Sequence, residues 1–156
     1  MPGISLAIGG DELALDLKNA LKDYLAEDGR VGKIVDVGTD PDAPSSYVKV
    51  GLDVATLVRT GEVERAVVLC GSGTGVAMAA GKVPGVRAVL ADNLLAAKAA
   101  VEIDNAPIIA MGGQVVGPGL AKRLLDVWLD ARFDPDGEWA APSKELDDYE
   151  ASLGVK

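Results

Sequence analysis

Short β-branched apolar runs alternate with longer amphipathic stretches along most of the chain. The runs Ile4–Ile8, Lys33–Val37, Arg65–Cys70, Val86–Leu90 and Ile108–Met111 are each of strand length and apolar on both faces, so they read as buried strands. Helical stretches follow at about Glu12–Leu25, Tyr47–Thr60, Gly73–Ala80, Asn93–Ile103 and Gly117–Ala131. Five strands, each followed by a helix, predict an α/β protein with a five-stranded parallel sheet flanked by helices.

The pattern breaks in two places. Asp40-Pro41-Asp42-Ala43-Pro44-Ser45-Ser46 is the one long polar loop, at the carboxyl end of the second strand, the edge where open α/β sheets build their sites. From Asp134 onward the chain is polar and rich in turns. A last short helix is expected from Ser143, with Ser143 as its N-cap and Glu145 and Leu146 in its first turn.

Length and composition narrow the class. The 156 residues suffice for one domain with a single good core. Half of them are apolar, yet no stretch approaches the roughly 18–20 needed to cross a bilayer, so no membrane partner is expected. Met1-Pro2-Gly3 leads straight into a strand without the features of a secretory signal. One cysteine forms no internal disulfide, and no zinc-ligand cluster is visible, so a cytoplasmic setting is expected. A net charge of −9 argues against nucleic acid, whose binding rests on neutralised phosphates.

The chemistry concentrates where the third strand ends. Ala66-Val67-Val68-Leu69 runs into Cys70-Gly71-Ser72-Gly73-Thr74-Gly75 and then a helix start. By residue type alone, Cys70 is a small buried hydrophobe. The glycines change that reading, because Gly71, Gly73 and Gly75 let backbone amides approach a ligand closely. A thiol among such donors gives up its proton more readily than a free one and suits proton removal beside a carbonyl. The spacing G-x-G-x-G at the third strand differs from the dinucleotide fingerprint G-x-G-x-x-G at the first. No histidine is present anywhere to assist Cys70.

Two further segments bear on the site. In Gly9-Gly10-Asp11-Glu12, N-capping by Asp11 and a dipole-friendly Glu12 would alone explain both acids; Asp11 as a hydroxyl-binding carboxylate is the functional alternative. In Gly112-Gly113-Gln114-Val115-Val116-Gly117-Pro118-Gly119, Pro118 marks a helix start, and Gln114 either reaches the site or caps the strand.

Together these segments resemble the ribose-5-phosphate isomerase B / galactose-6-phosphate isomerase family of aldose–ketose isomerases, from about Ile4 to Phe133. The resemblance is carried by Ala7-Ile8-Gly9-Gly10-Asp11, by Val35-Asp36-Val37-Gly38-Thr39, by Gly61-Glu62 and above all by Cys70 to Gly75. Lys82-Val83-Pro84-Gly85-Val86-Arg87-Ala88, Asp104-Asn105-Ala106 and Val115-Val116-Gly117-Pro118-Gly119-Leu120-Ala121 complete it. It implies a three-layer Rossmann-like fold, with residues 1–133 as a sugar-phosphate isomerase domain and 134–156 as a tail packing on that domain or on a neighbouring subunit. It also implies a homodimer or tetramer with sites at the subunit interface, and no metal or organic cofactor. Carried onto this chain, Cys70 is the base between C1 and C2, and Ser72 assists. Gly71, Gly73, Thr74 and Gly75 form the anion hole for a cis-enediolate. Asp11 and Tyr47 contact substrate; Glu12, Lys49, Asp104, Asn105 and Gln114 stand at other substrate-binding positions.

The chain departs from the family pattern where ring opening and phosphate binding are carried. Ile103-Asp104-Asn105 stands where His-Asn-Asp is usual, Glu12 replaces a histidine, Gln114 an arginine, and Asp136-Gly137-Glu138-Trp139 a Gly-Arg-His segment. A ring-opening histidine is dispensable for an open-chain substrate. A tetrose phosphorylated on its terminal oxygen cannot close a five-membered ring, so a tetrose or tetrulose phosphate is the expected substrate. Lys49, Lys144 and Arg132 are candidate phosphate contacts. The alternatives are a pentose or hexose phosphate isomerase working as a heteromer with a paralogous subunit, or an isomerase of a non-phosphorylated sugar.

Overall fold

The computed structural model describes residues 2–38 and 40–154. Thr39, quoted in the second-strand motif, lies outside the described residues, as do Met1 and the last two residues of the tail.

Five strands form one parallel sheet: β1 (Ile4–Gly10), β2 (Val31–Gly38), β3 (Arg65–Cys70), β4 (Ala88–Leu90) and β5 (Ile108–Gly112). Helices α1 (Leu15–Ala26), α2 (Tyr47–Arg59), α3 (Thr74–Ala80), α4 (Leu94–Glu102) and α5 (Pro118–Asp130) connect or follow them. The strand order is β2-β1-β3-β5-β4. The chain therefore winds outward from β1 to β2, returns to β3, and then winds the other way. The ends of β1 and β3 are adjacent at this reversal, where ligands enter open α/β sheets.

Side-chain alternation along the strands feeds two separate cores, which makes three layers. Leu6, Ile8, Val67, Leu69, Ile109 and Met111 pack against α1, α4 and α5. Ala7, Ala66, Val68, Cys70, Ile108 and Ala110 face α2 and α3. The second face carries smaller residues, and α2 and α3 lie close to it. Cys70 thus owes its direction to strand parity. Fully buried Trp128 on α5 lies under the Arg65 guanidinium, 5.3 Å from its ring centroid. Arg65 also donates to the carbonyls of Trp128 and Ala131, fixing the end of α5. Burial, with Arg132 nearby, pushes the Arg65 guanidinium down to about 10.

Two expected boundaries move for identifiable reasons. β4 begins at Ala88 rather than Val86, because Val83–Val86 close a turn with a Val86 N–H to Val83 carbonyl bond. The last helix, α6 (Ala140–Ser152), begins three residues before Ser143. Ser143 lies inside it, its amide bonded to the Trp139 carbonyl, so it is not an N-cap. Its hydroxyl and carbonyl instead accept from Arg87 at 2.8 and 2.7 Å, and Arg87 also bonds the Asp104 carbonyl and pairs with Asp147. These bonds hold α6 against the α/β body. No helix among the described residues is long and apolar enough to cross a membrane.

Candidate active site

Three chain reversals at the carboxyl edge of the sheet build the site. At the end of β1, Asp11 takes an extended conformation and its side chain accepts from the Leu13 amide at 3.0 Å. It thereby caps the single 3-10 turn Glu12–Ala14 that leads into α1. The capping reading of Asp11 holds, and the residue also lines the cleft beside Cys70. Burial raises the Asp11 carboxyl above its usual range; the Leu13 amide opposes this and Glu12 adds a smaller push upward.

After β3 the chain turns through Gly73, whose left-handed φ of +84° favours glycine. The tight loop Gly71–Ser72 that precedes it brings the Gly73 N–H back onto Cys70 Sγ, 3.1 Å away. Cys70 is buried, and its sulfur accepts this fixed backbone donor. The hydroxyls of Ser72 and Thr74 lie 2.7 Å apart, and the Thr74 amide donates to Ser72 Oγ at 3.3 Å.

After β5, Gly112 must lack a side chain, because a Cβ there would fall 2.5 Å from the Ser72 carbonyl carbon. The amides of Gly113 and Gln114 donate to the carbonyls of Cys70 and Gly71, so the β5 turn is laced onto the β3 loop. Gln114 Oε1 comes near Gly71.

The resulting open cleft has a volume of about 440 Å³. Its walls bring together Asp11, Tyr47, Cys70, Gly71, Ser72, Thr74, Gly75 and Gln114 of the expected residues. Tyr47, the first residue of α2, lays its ring against Gly75. Leu13 and Met78 also line the cleft and were not anticipated. Met78 was within reach of the sequence, lying three and four positions after Gly75 and Thr74 on one helix face.

Several expected contacts are not in this cleft. Glu12 is exposed on the 3-10 turn and faces elsewhere. Lys49 pairs with Asp53 one turn along α2, and Lys144 pairs with Asp148 along α6. Arg132 donates to the carbonyls of Leu129 and Ala131 and borders a separate hollow with Glu102, Asp134 and Glu138, a setting hostile to phosphate. Asp104 and Asn105 lie in the turn between α4 and β5, which parallel topology puts at the opposite edge of the sheet. Gly73 is buried beneath the loop and contributes its amide rather than a wall. Among the described residues no Lys or Arg lines the cleft. Among the described residues no group of three or more His, Cys, Asp or Glu side chains gathers to hold a metal ion.

A larger groove, about 530 Å³, runs between Val58, Arg59, Pro84–Val86 and α6. Among the described residues its lining carries neither a thiol nor a hydroxyl side chain.

A family model described as Ribose/Galactose Isomerase matches residues 6–145. The D-erythrulose-4-phosphate isomerase 2 of Mycolicibacterium smegmatis is 39% identical over 150 residues, which are 96% of this chain and 99% of that protein. The D-erythrulose-4-phosphate isomerase of Pectobacterium atrosepticum is 38% identical over 147 residues, 94% of each chain. Among solved structures, the ribose-5-phosphate isomerase B of Clostridium thermocellum superposes with a TM-score of 0.89 at 35% identity, covering 96% of this chain and 99% of that one.

Proposed function

The chain belongs to the ribose/galactose isomerase family, and from that premise we propose that it interconverts D-erythrulose 4-phosphate and the corresponding aldose phosphate, with Cys70 as the base. It is an aldose–ketose isomerase acting on a sugar phosphate. The four-carbon substrate is supported by two relatives that carry that activity in their names. Chemistry agrees: with O4 phosphorylated, a tetrose cannot close a furanose ring. A chain with no histidine therefore meets no ring-opening step.

The observation that carries the role of Cys70 is the 3.1 Å bond from the Gly73 amide to its sulfur, inside a cleft shared with Ser72, Thr74, Tyr47 and Asp11. In the ketose-to-aldose direction the thiolate removes a proton from C1. The electron pair becomes the C1–C2 double bond, and the carbonyl oxygen O2 takes the negative charge. Backbone amides of the Gly71–Gly75 loop and the Ser72 hydroxyl stabilise that oxyanion, an effect worth up to several kcal/mol per well-aimed donor. Return of the proton to C2 completes the transfer. Asp11 accepts hydroxyl hydrogens of the substrate, and Tyr47 and Gln114 bound the sugar chain.

The phosphate contacts come from outside this chain's own cleft, since among the described residues no cation lines it. A second copy packed over the cleft supplies them, and the exposed apolar rim of Leu13, Tyr47 and Met78 supports such an interface. Need for a free thiol supports a reducing, cytoplasmic setting.

Incubation of the purified protein with D-erythrulose 4-phosphate in D2O should place deuterium at C1, and Cys70→Ala should abolish that exchange. Exchange that survives the substitution removes Cys70 as the base.

A further inference from the structure

Aldose–ketose isomerisation moves two protons. One travels between carbons, which the preceding reading gives to Cys70. The other must travel between oxygens, leaving O1 and arriving at O2 when a ketose becomes an aldose. Direct transfer between vicinal oxygens closes a five-membered ring, and so bent a hydrogen bond is weak. Imidazole is excluded as a carrier, because the chain has no histidine.

We propose that the hydroxyls of Ser72 and Thr74 form a paired relay for this second proton, which makes Thr74 a catalytic residue; the proposal rests on the isomerase reading above. The two oxygens stand 2.7 Å apart, close to the spacing of the vicinal oxygens of a cis-enediolate, and either can be the donor. Two such hydroxyls side by side can face O1 and O2 together. The pair is held in place by the Thr74 amide, which donates to Ser72 Oγ at 3.3 Å. The left-handed turn at Gly73 between them brings side chains two positions apart onto the same wall of the cleft.

The other polar groups of the cleft suit the task less well. Asp11 has Oδ1 committed to the Leu13 amide, so it offers the substrate a single oxygen. The Gln114 amide does not exchange protons at neutral pH. Tyr47 presents one hydroxyl at the end of a ring packed on Gly75.

The step balances without an outside reagent. Once Cys70 has taken the C1 proton, O2 carries the negative charge and O1 still holds its hydrogen. O2 takes the proton of one hydroxyl, that hydroxyl takes the proton of its neighbour, and the neighbour takes the proton of O1. Both side chains end neutral, the negative charge now sits on O1, and collapse to the C1 carbonyl drives C2 to recover the proton from Cys70. The same sequence run backward serves the aldose-to-ketose direction.

The test separates the two proton transfers. Thr74→Val keeps the backbone amide and the β-branched shape but removes the hydroxyl; Thr74→Ser restores a hydroxyl. Isomerisation and deuterium entry at C1 of D-erythrulose 4-phosphate are measured together in D2O. The relay requires that Thr74→Val lower isomerisation roughly 10- to 100-fold while lowering exchange far less. The exchange-to-isomerisation ratio then rises by about tenfold or more, and Thr74→Ser returns it toward wild type. Equal losses of both rates, or no change in either, overturn the relay and assign the oxygen proton to water or to another group. Failure of the underlying reading shows separately, as exchange persisting in Cys70→Ala.

Discussion

The amide of Gly73 points its hydrogen at Cys70 Sγ across 3.1 Å, and Gly73 itself holds a left-handed φ of +84° from which α3 departs. The turn before Gly73 thus sets the environment of the thiol, and the left-handed torsion at Gly73 sets the direction in which α3 departs. The same turn places Ser72 and Thr74 within hydrogen-bond distance. Thiol, amide loop and hydroxyl pair are therefore one local structure, positioned by strand parity in β3 and by the close passage of β5.

Gly73→Ala should damage fold and activity together. An L-residue at this φ costs about 1–2 kcal/mol. A Cβ would also fall 2.6 Å from Leu90 Cδ1 and 2.8 Å from the Met111 carbonyl carbon, and the backbone contact has no easy relief. Urea denaturation should show a loss of roughly 2–4 kcal/mol, with turnover down more than tenfold. Gly81→Ala is the control: its φ is −68° and its nearest neighbour is at 3.4 Å, so stability should hold or rise slightly. Equal behaviour of the two variants would contradict this account of the loop.

Asp36→Asn should cost stability in a pH-dependent way. Lys18, nearly fully buried, and Lys22 bond the two carboxylate oxygens of Asp36 at 2.9 and 2.8 Å. Burial opposes ionisation of Asp36, but these two cations together hold its carboxyl below the usual range. The stabilisation is therefore present above the ordinary carboxylate pKa, near 3.8, and is lost as pH falls through the depressed folded-state value. At pH 7 the variant should be roughly 1–3 kcal/mol less stable, and the gap to wild type should narrow as the pH falls below the ordinary carboxylate range. Denaturation midpoints measured from pH 2.5 to 7 check the sign; a gap that widens on acidification refutes it.

Arg87→Met should loosen α6 while sparing the sheet. Arg87 is the shared donor to the Asp104 carbonyl, to Ser143 twice and to Asp147. Removing it strips the helix of its charge-assisted anchor, about 1–3 kcal/mol of local stability. Amide hydrogen exchange in residues 143–152 should accelerate about tenfold or more, with β3 and β5 amides unchanged. Uniform acceleration across the chain would show that Arg87 supports the whole fold instead.

Much of the architecture was legible because it depends on short-range pattern. Doubly buried strands such as Arg65–Cys70 and Ile108–Gly112 declare themselves by continuous apolar character, and Ser46, Asn93 and Pro118 mark helix starts through local backbone chemistry. Ser143 misled for a tertiary reason: its hydroxyl serves Arg87, 56 positions away, and the helix had already begun. Lys49 misled in a similar way, since Asp53 takes up its charge one turn along the same helix.

The sequence by itself determined the sheet, the alternation of helices and the glycine loop carrying Cys70, all of which follow from residue spacing and the steric freedom of glycine. Only the tertiary structure decided which groups share a cleft with that thiol. Strand order put the end of β1, and so Asp11, beside the end of β3, and it sent Asp104 and Asn105 to the opposite edge. Side-chain direction aimed Ser72 and Thr74 at each other and left Cys70 facing α2 and α3, because strand parity and a single left-handed torsion fix orientations that no linear pattern records.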